Sequence, residues 1–133
     1  MLENMKNFEN FTTLPTYNDG FFYLYKICQK KNGTKYPIEY IKKVNNQEIW
    51  YEEISLTDKL RFEAEERNKK ITLKIRIPQM KEIDSLCVVK IGNEYHKVFN
   101  AYHFTNKEGF KESDLTLEEY SRVKFEEDVV NDK

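Results

Sequence analysis

The stretch "NKKITLKIRIPQ", residues 68–79, decides the fold because apolar and polar side chains alternate along it. This period of two predicts a β-strand with one buried face and one face in solvent. The strand ends at Pro78, because proline has no amide hydrogen to donate to a neighbouring strand. The buried face is predicted to hold Ile71, Leu73, Ile75 and Ile77. The wet face carries Thr72, Lys74 and Arg76, and the sequence leaves open whether it meets water, a nucleic acid or another copy of the chain.

Short β-forming runs separated by turn signals recur along the rest of the chain. Asn32-Gly33 and Gly92-Asn93 are pairs typical of tight hairpin turns. Pro37 restricts the return segment of the first hairpin to a strand start or a sheet edge. The predicted strands lie within residues 21–29, 36–44, 48–56, 71–77, 85–91, 94–104 and 112–120. The sequence therefore predicts a mainly β protein, a small antiparallel β-barrel or sandwich with little helix.

Residues 55–68 fit two structures. As a helix, the segment starts at Ser55, has Asp58 three residues later in a near capping box, and contains good helix formers. As a strand, it alternates Leu60, Phe62 and Ala64 with charged residues. A long hairpin, in which residues 60–64 return through residues 71–77, satisfies both alternating patterns at once. We therefore expect the hairpin, which is compatible with a helical turn near residue 57.

The chain is predicted to form one domain with an arm and a tail. Residues 1–20 are rich in Asn, Thr and aromatic side chains and form an N-terminal arm. Residues 21–120 form the β-domain, and 133 residues suit a single domain with one modest core. Residues 121–133 are acidic and are predicted to be a solvated tail or a frayed helix.

Charge and cysteine content narrow the class of protein. With 22 basic and 23 acidic residues, the chain is near neutral, which argues against whole-molecule affinity for DNA or a membrane but allows a local patch. Cys28 and Cys87 lack CxxC spacing, so we expect two reduced thiols. The N-terminus lacks the apolar run of a signal peptide, and no stretch approaches the ~20 apolar residues of a membrane span. We therefore expect the protein to stay in the cell where it is made.

The titratable residues form no recognisable catalytic or metal-binding motif. His96 and His103 are seven residues apart, so on one regular strand they would point to opposite faces. A zinc site needs three or four convergent ligands, and no cluster has that spacing. His103 with Ser85 or Cys87 lacks a nucleophile-elbow motif, and the glycines lie in separate turns rather than in one phosphate-binding loop. We expect no enzymatic activity, no metal, no cofactor and no small-molecule substrate.

A basic patch and an aromatic step are the candidate interaction features. Six Lys or Arg and no acid lie between residues 67 and 81. A row of cations on one strand face can neutralise phosphates, although solvated strand faces are also often rich in Lys and Thr. The step Trp50-Tyr51 favours the core over a subunit-interface anchor, which is the other interpretation of such a pair. The candidate DNA-facing or partner-facing residues are Lys69, Lys70, Lys74 and Arg76.

Four blocks follow one another along residues 48–119: "EIWYEEISLTDKLRFEAEE", "ITLKIRIP", "IDSLCVVKIGNEYHKVFN" and "GFKESDLTLEEY". Their order resembles that of the head-closure proteins of tailed phages with long non-contractile tails, also called head–tail joining or head-completion proteins. In that family an aromatic-plus-"EIS" strand leads through a polar stretch into a strand ending in Arg, followed by an Ile-Asp loop, a Val-rich strand, a Gly turn and a "YxV" strand. The arm and first hairpin, up to residue 44, depart from the many such proteins that start closer to the first barrel strand.

The resemblance implies a β-barrel that assembles as a ring beneath the portal and adaptor rings after genome packaging. Such a ring closes the DNA-filled head and offers a docking surface for the tail. The implied partners are adaptor and tail-terminator proteins, further copies of the chain, and packaged DNA in the lumen. The implied location is the head–tail connector of the virion, after synthesis in the cytoplasm of the host bacterium. In this interpretation the turn at residues 65–70 projects towards the channel, with the four basic candidates near DNA or an acidic partner.

Two further functions stay open at this point. A tail-completion ring would share the β-barrel architecture but would be found on free tails rather than on DNA-filled heads. A stand-alone nucleic-acid-binding barrel would bind DNA as a monomer, with an affinity that falls steeply with salt. The patch at residues 67–81 lacks the interleaved aromatic side chains that single-strand binders use, which places this function second to the connector.

Overall fold

A computed structural model describes residues 15–31 and 36–130 of the chain. Most of the predicted arm and the predicted turn at Asn32-Gly33 lie outside the described residues. Seven strands and two helices follow in chain order within the described ranges: β1 (Gly20–Lys30), β2 (Ile38–Lys43), β3 (Ile49–Glu53), α1 (Asp58–Glu66), β4 (Ile71–Pro78), β5 (Cys87–Ile91), β6 (Glu94–Thr105), β7 (Lys111–Glu119) and α2 (Glu126–Val130).

Six strands close into an antiparallel β-barrel, and this confirms the predicted fold class. Around the barrel the order is β1, β3, β4, β7, β6, β5, and β5 pairs back with β1. The long strand β1 pairs with three other strands. Its start pairs with β3, its middle with β5 and its second half with the extra strand β2. Closure gives every barrel strand a neighbour on each side, so no barrel strand is left as the edge of an open sheet.

The barrel interior is an apolar core built from the alternating positions of its strands. Ile75 and Ile77 of β4 are fully buried and Leu73 packs against them, as the alternation predicts. Ile71, which was also predicted to be buried, is only partly buried, because the register shifts between Ile71 and Leu73. Strand β7 faces them with Leu115 and Leu117, which are also fully buried. The other members of the core cluster are Phe22, Leu24, Ile49, Tyr51, Ile83, Cys87, Val89 and Val98.

Residues 58–66 form the helix α1, so the predicted strand at residues 60–64 is wrong. Strand β7 pairs along one edge of β4 and β3 occupies the other edge near residues 74–76, so residues 60–64 cannot form the predicted hairpin with residues 71–77. The helix is capped by Thr57, whose hydroxyl accepts a hydrogen bond from the amide of Leu60 at 3.3 Å. Neither α1 nor α2 has the length and apolar character to cross a membrane.

The C-terminal segment packs on the outside of the barrel rather than extending as a solvated tail. The amide of Ile41 in β2 donates to the carbonyl of Lys124 at 2.8 Å, and Ile41 also forms a bridge with Phe125. Phe125 lies against Tyr25 and Tyr95, with ring centroids 6.4 and 6.0 Å apart. The short helix α2 follows, so the helical alternative holds for this part of the predicted tail.

Candidate interaction surface

Strand β7 carries a row of buried polar side chains on the outer face of the barrel. Side chains that point into the barrel alternate along β7 with side chains that point outward. The outward side chains are three acids and a threonine, and each of these residues is less than a tenth exposed. Buried carboxylates need a partner, because an unpaired charge away from water is costly. The outward residues are Glu112, Asp114, Thr116 and Glu118.

Asp114 is the partner of Arg76, the last basic residue of the strand that opened the sequence analysis. The two residues are directly opposite across β4 and β7, and the guanidinium donates Nε to Oδ1 at 2.7 Å and one terminal nitrogen to Oδ2 at 3.0 Å. These hydrogen bonds raise the pKa of Arg76 above its ordinary value. The pair is bidentate, the geometry in which Arg fixes a carboxylate most firmly.

Two other basic candidates also meet carboxylates at the end of β7. The Lys69 ammonium lies 3.5 Å from Glu118, whose side chain is only 8% exposed, and Lys70 lies 3.6 Å from Glu119, which is half exposed. The first pair compensates a buried acid, whereas the second is in solvent and contributes little to stability. Three of the four predicted basic residues thus form ion pairs with carboxylates of β7, which reduces the charge that they offer to another molecule.

Lys74 differs from the other three basic candidates. Within the described ranges no carboxylate oxygen lies within ion-pairing distance of its ammonium. The side chain lines an open groove of about 320 Å³ between α1 and the sheet. Asn100, Tyr102 and Thr116 line the sheet side of this groove, and Leu60 and Glu63 line the helix side. The structure thus separates Lys74, which is open to a partner, from the paired cations on either side of it.

An exposed aromatic ledge adjoins the Arg76–Asp114 pair on β6. Tyr102 and Phe104 stack with ring centroids 5.2 Å apart and an interplanar angle of 12°. The Arg76 guanidinium lies 5.3 Å from the centre of the Phe104 ring, a cation–π contact. Tyr102 is 60% exposed, so the stack ends in a free ring face at the surface. We did not expect this ledge from the sequence, although "NAYHF" places two aromatic residues two apart on a strand.

The predicted aromatic step divides between the core and the surface. Tyr51 is 5% exposed and belongs to the core, where its ring lies near Phe22, so it is not a surface anchor. Trp50 points outward, is 47% exposed and packs on Phe21 with ring centroids 5.1 Å apart. Only Trp50 of the two is placed where a second molecule can touch it.

The two histidines point to the same side of β6, so the expectation of opposite faces is wrong. The register shifts between Val98 and Asn100, which inserts one residue into the alternation. His96 therefore shares the inner face with Val98, and His103 shares it with Ala101.

Each histidine ring lies within hydrogen-bonding distance of a side-chain hydroxyl. His96 Nδ1 lies 3.0 Å from the hydroxyl of Thr72, and Nε2 lies 3.6 Å from Glu94, whose carboxylate is 81% exposed. That solvated carboxylate does not fix the ring as a buried triad acid does. His103 Nδ1 lies 2.6 Å from the hydroxyl of Ser113 and Nε2 lies 3.2 Å from the carbonyl oxygen of Ile83.

Neither thiol is paired, and the metal-binding side chains do not converge. Cys28 and Cys87 are both free, and burial raises the pKa of the Cys87 thiol. Within residues 15–31 and 36–130, no group of three or more His, Cys, Asp or Glu is arranged to hold a metal ion.

No protein-family model and no curated protein matches the chain.

Proposed function

We propose that the chain is a structural subunit of a phage head–tail connector, which forms a ring that closes the DNA-filled head and presents the docking surface for the tail. The proposal is supported by the order of the sequence blocks. These blocks span residues 48–119, which run from β3 to β7 and so supply five of the six barrel strands. The resemblance therefore follows one structural unit rather than scattered segments.

The observation that carries the proposal is the position of the two exposed aromatic sites. Trp50 is on β3 and Tyr102 is on β6, and these strands are three steps apart in either direction around the six-stranded barrel. The two sites therefore lie on opposite sides of the barrel. A ring is built from heterologous contacts, in which two different patches of one subunit meet their complements on the next. Exposed aromatic residues are the usual anchors of such contacts.

The test replaces each aromatic anchor in a phage that carries the gene and scores the particles by electron microscopy. Trp50→Glu and Tyr102→Glu are each expected to yield heads that lose DNA or lack tails. Phe62→Glu is the matched control, because Phe62 is an aromatic residue on α1 that is 66% exposed and belongs to neither site. Full tail joining by both anchor variants, with soluble folded protein in each case, would refute the ring contact. Arrest of tail assembly with normal DNA-filled heads would instead favour the tail-completion ring.

A further inference from the structure

The groove between α1 and the outer face of the sheet contains hydrogen-bonding side chains that the fold itself does not use. Its floor is a row of residues that crosses three neighbouring strands. Lys74 of β4 lies directly opposite Thr116 of β7, and Thr116 lies directly opposite Asn100 of β6. All three residues line the groove, which has a volume of about 320 Å³. An ammonium, a hydroxyl and a carboxamide thus lie side by side on one surface.

Thr116 is the member of this row that points to a ligand. The residue is only 2% exposed, yet its hydroxyl forms no hydrogen bond with any residue in the described ranges. In that part of the chain every sealed polar side-chain atom has a partner, so this hydroxyl is not sealed but opens into the groove. A buried hydroxyl without a partner is unusual, because leaving it unsatisfied costs free energy. A hydrogen-bonding group that enters the groove would satisfy it.

The adjacent row of the same face is satisfied within the chain. Arg76, Asp114 and Tyr102 follow on the same three strands. There the guanidinium and the carboxylate are joined by two hydrogen bonds, of 2.7 and 3.0 Å. Lys74, by contrast, has no carboxylate at ion-pairing distance in the described ranges. The lack of partners is therefore a property of the groove floor and not of the whole face.

The other charges that line the groove favour a ligand with a single negative charge. Lys59 and Glu63 lie on its helix wall, four residues apart at exposed positions of α1, and their charges cancel. Asp114 also lines the groove, but Arg76 compensates its charge. The charge that is left is the ammonium of Lys74. It balances a carboxylate, whereas a doubly charged phosphate would keep an uncompensated charge beside Glu63 and Asp114.

Apolar surface flanks this polar floor. The half-buried side chain of Leu60 lies on the helix side, and the ring of Tyr102, 60% exposed, lies on the sheet side. Ala64 is the buried residue of α1 and anchors the helix wall. The groove is open to solvent, whereas the pockets that hold small molecules enclose most of the ligand. Its shape therefore suits a side chain that a larger partner delivers.

We infer that this groove binds an acidic side chain of a partner polypeptide. The carboxylate accepts hydrogen bonds from the Lys74 ammonium and the Thr116 hydroxyl, and the Asn100 carboxamide is placed to bond the partner's backbone. A neighbouring apolar side chain of the partner packs against Leu60 and Tyr102. This inference does not rest on the connector function, because one free chain contains the complete groove.

The test titrates blocked pentapeptides into the isotope-labelled full chain and follows the backbone amides by NMR. The probe is acetyl-Gly-Leu-Glu-Leu-Gly-amide, and its neutral counterpart carries Gln in place of Glu. We expect the Glu peptide to bind weakly, with a Kd of about 1 mM, and to shift the amides of Lys74, Asn100 and Thr116. The Gln peptide is expected to bind at least about tenfold more weakly, because it does not pair with the ammonium.

Two variants test the floor of the groove. Lys74→Gln is expected to weaken binding of the Glu peptide about tenfold, and Thr116→Val, which keeps the shape but removes the hydroxyl, about fivefold. The matched control is Lys70→Gln, because Lys70 lies outside the groove and is paired with Glu119. This control removes the same charge and is expected to stay within about twofold of the wild type.

The inference is overturned if the Glu peptide does not bind at about 10 mM, or if the Glu and Gln peptides bind equally. Equal losses of affinity in Lys74→Gln and Lys70→Gln would also overturn it. So would acetate that binds as tightly as the peptide, since no partner chain is then needed, or a phosphoserine peptide that binds more tightly than the Glu peptide. Trp50→Glu, which tests the ring contact in particles, leaves the groove intact and is expected to bind the Glu peptide like the wild type. Either proposal can therefore fail while the other stands.

Discussion

Arg76 on β4 and Asp114 on β7 are direct cross-strand partners whose side chains share two hydrogen bonds, of 2.7 and 3.0 Å. The outward face of β4 therefore contacts a neighbouring strand of the same chain through Arg76. The basic face of β4 lies against a row of acids on β7, so its charge is largely compensated inside the molecule. Of the two cations on that face, Lys74 is the one without a carboxylate at ion-pairing distance within the described ranges, and it lines the groove beside α1.

The Arg76–Asp114 pair predicts an unequal effect of two neighbouring substitutions. Arg76→Gln leaves the Asp114 carboxylate, 7% exposed, without its cation, and we expect the free energy of unfolding to fall by about 2 kcal/mol. Lys74→Gln, two residues away on the same face, has no such partner and is expected to change it by less than about 0.5 kcal/mol. Urea denaturation of the three proteins makes the comparison. Equal losses would show that the pair does not stabilise the barrel.

The prediction that the basic candidates within residues 69–76 face DNA in a ring lumen can be tested without disturbing the Arg76–Asp114 pair. Lys69→Gln, Lys70→Gln and Lys74→Gln are combined, and Arg76 is kept because its loss is expected to destabilise the barrel. If these lysines face packaged DNA or an acidic neighbour, the variant phage is expected to release DNA or to join tails less often, as counted by electron microscopy. DNA retention and tail joining at the wild-type level would end the lumen assignment for these residues.

His96 predicts that the protein loses stability in mild acid. Burial lowers the pKa of His96 below its ordinary value, despite the opposing effect of Glu94. The folded state therefore favours the neutral ring, and its contribution is fully present above the unfolded pKa of about 6.5. That contribution is lost as the pH falls through the lower folded pKa. We expect urea midpoints to fall between pH 7.5 and 5.5 in the wild type, and to fall less in His96→Gln. An identical pH dependence in both proteins would contradict this assignment.

The packed C-terminal segment predicts that Phe125 stabilises the barrel from outside. Phe125→Ala removes the ring that contacts Tyr25 and Tyr95, and we expect a loss of about 2 kcal/mol in the free energy of unfolding. The Ile41 amide, which donates to the carbonyl of Lys124, is expected to exchange faster with deuterium in this variant. The control is Glu127→Ala on the exposed side of α2. If Phe125→Ala lowers the free energy of unfolding no more than the control does, packing of Phe125 does not stabilise the barrel.

The strands could be predicted from the sequence because their signals are local. The alternation at residues 71–77 and the turn pairs carry that information within a few residues, and β4 and β7 appear where the patterns place them. The helix α1 was missed because the deciding fact is non-local: β7 pairs along one edge of β4 and β3 occupies the other near residues 74–76, so residues 60–64 cannot form the full hairpin with residues 71–77. The common face of His96 and His103 was missed for a related reason, since a one-residue register shift inside β6 leaves no clear mark in the sequence.

For the interaction surface, the sequence allowed the types of residue to be predicted but not how they pair. The basic residues within residues 69–76 could be identified, but their ion pairs could not. Asp114 is 38 residues from Arg76 along the chain and Glu118 is farther still from Lys69, and strand pairing brings them together. One signal was available: acids at alternate positions of "KESDLTLEE" indicate an outward charged row that needs cations.

The most direct test of the connector function is the position of the chain in phage particles made without tail genes. Purified DNA-filled heads carrying a tagged copy would be imaged by cryo-electron microscopy, and the chain would be quantified by mass spectrometry. The proposal predicts a ring of the barrel at the portal vertex, with Trp50 of each copy beside Tyr102 of the next. Heads that retain their DNA without this chain, or a chain found solely on free tails, would contradict it.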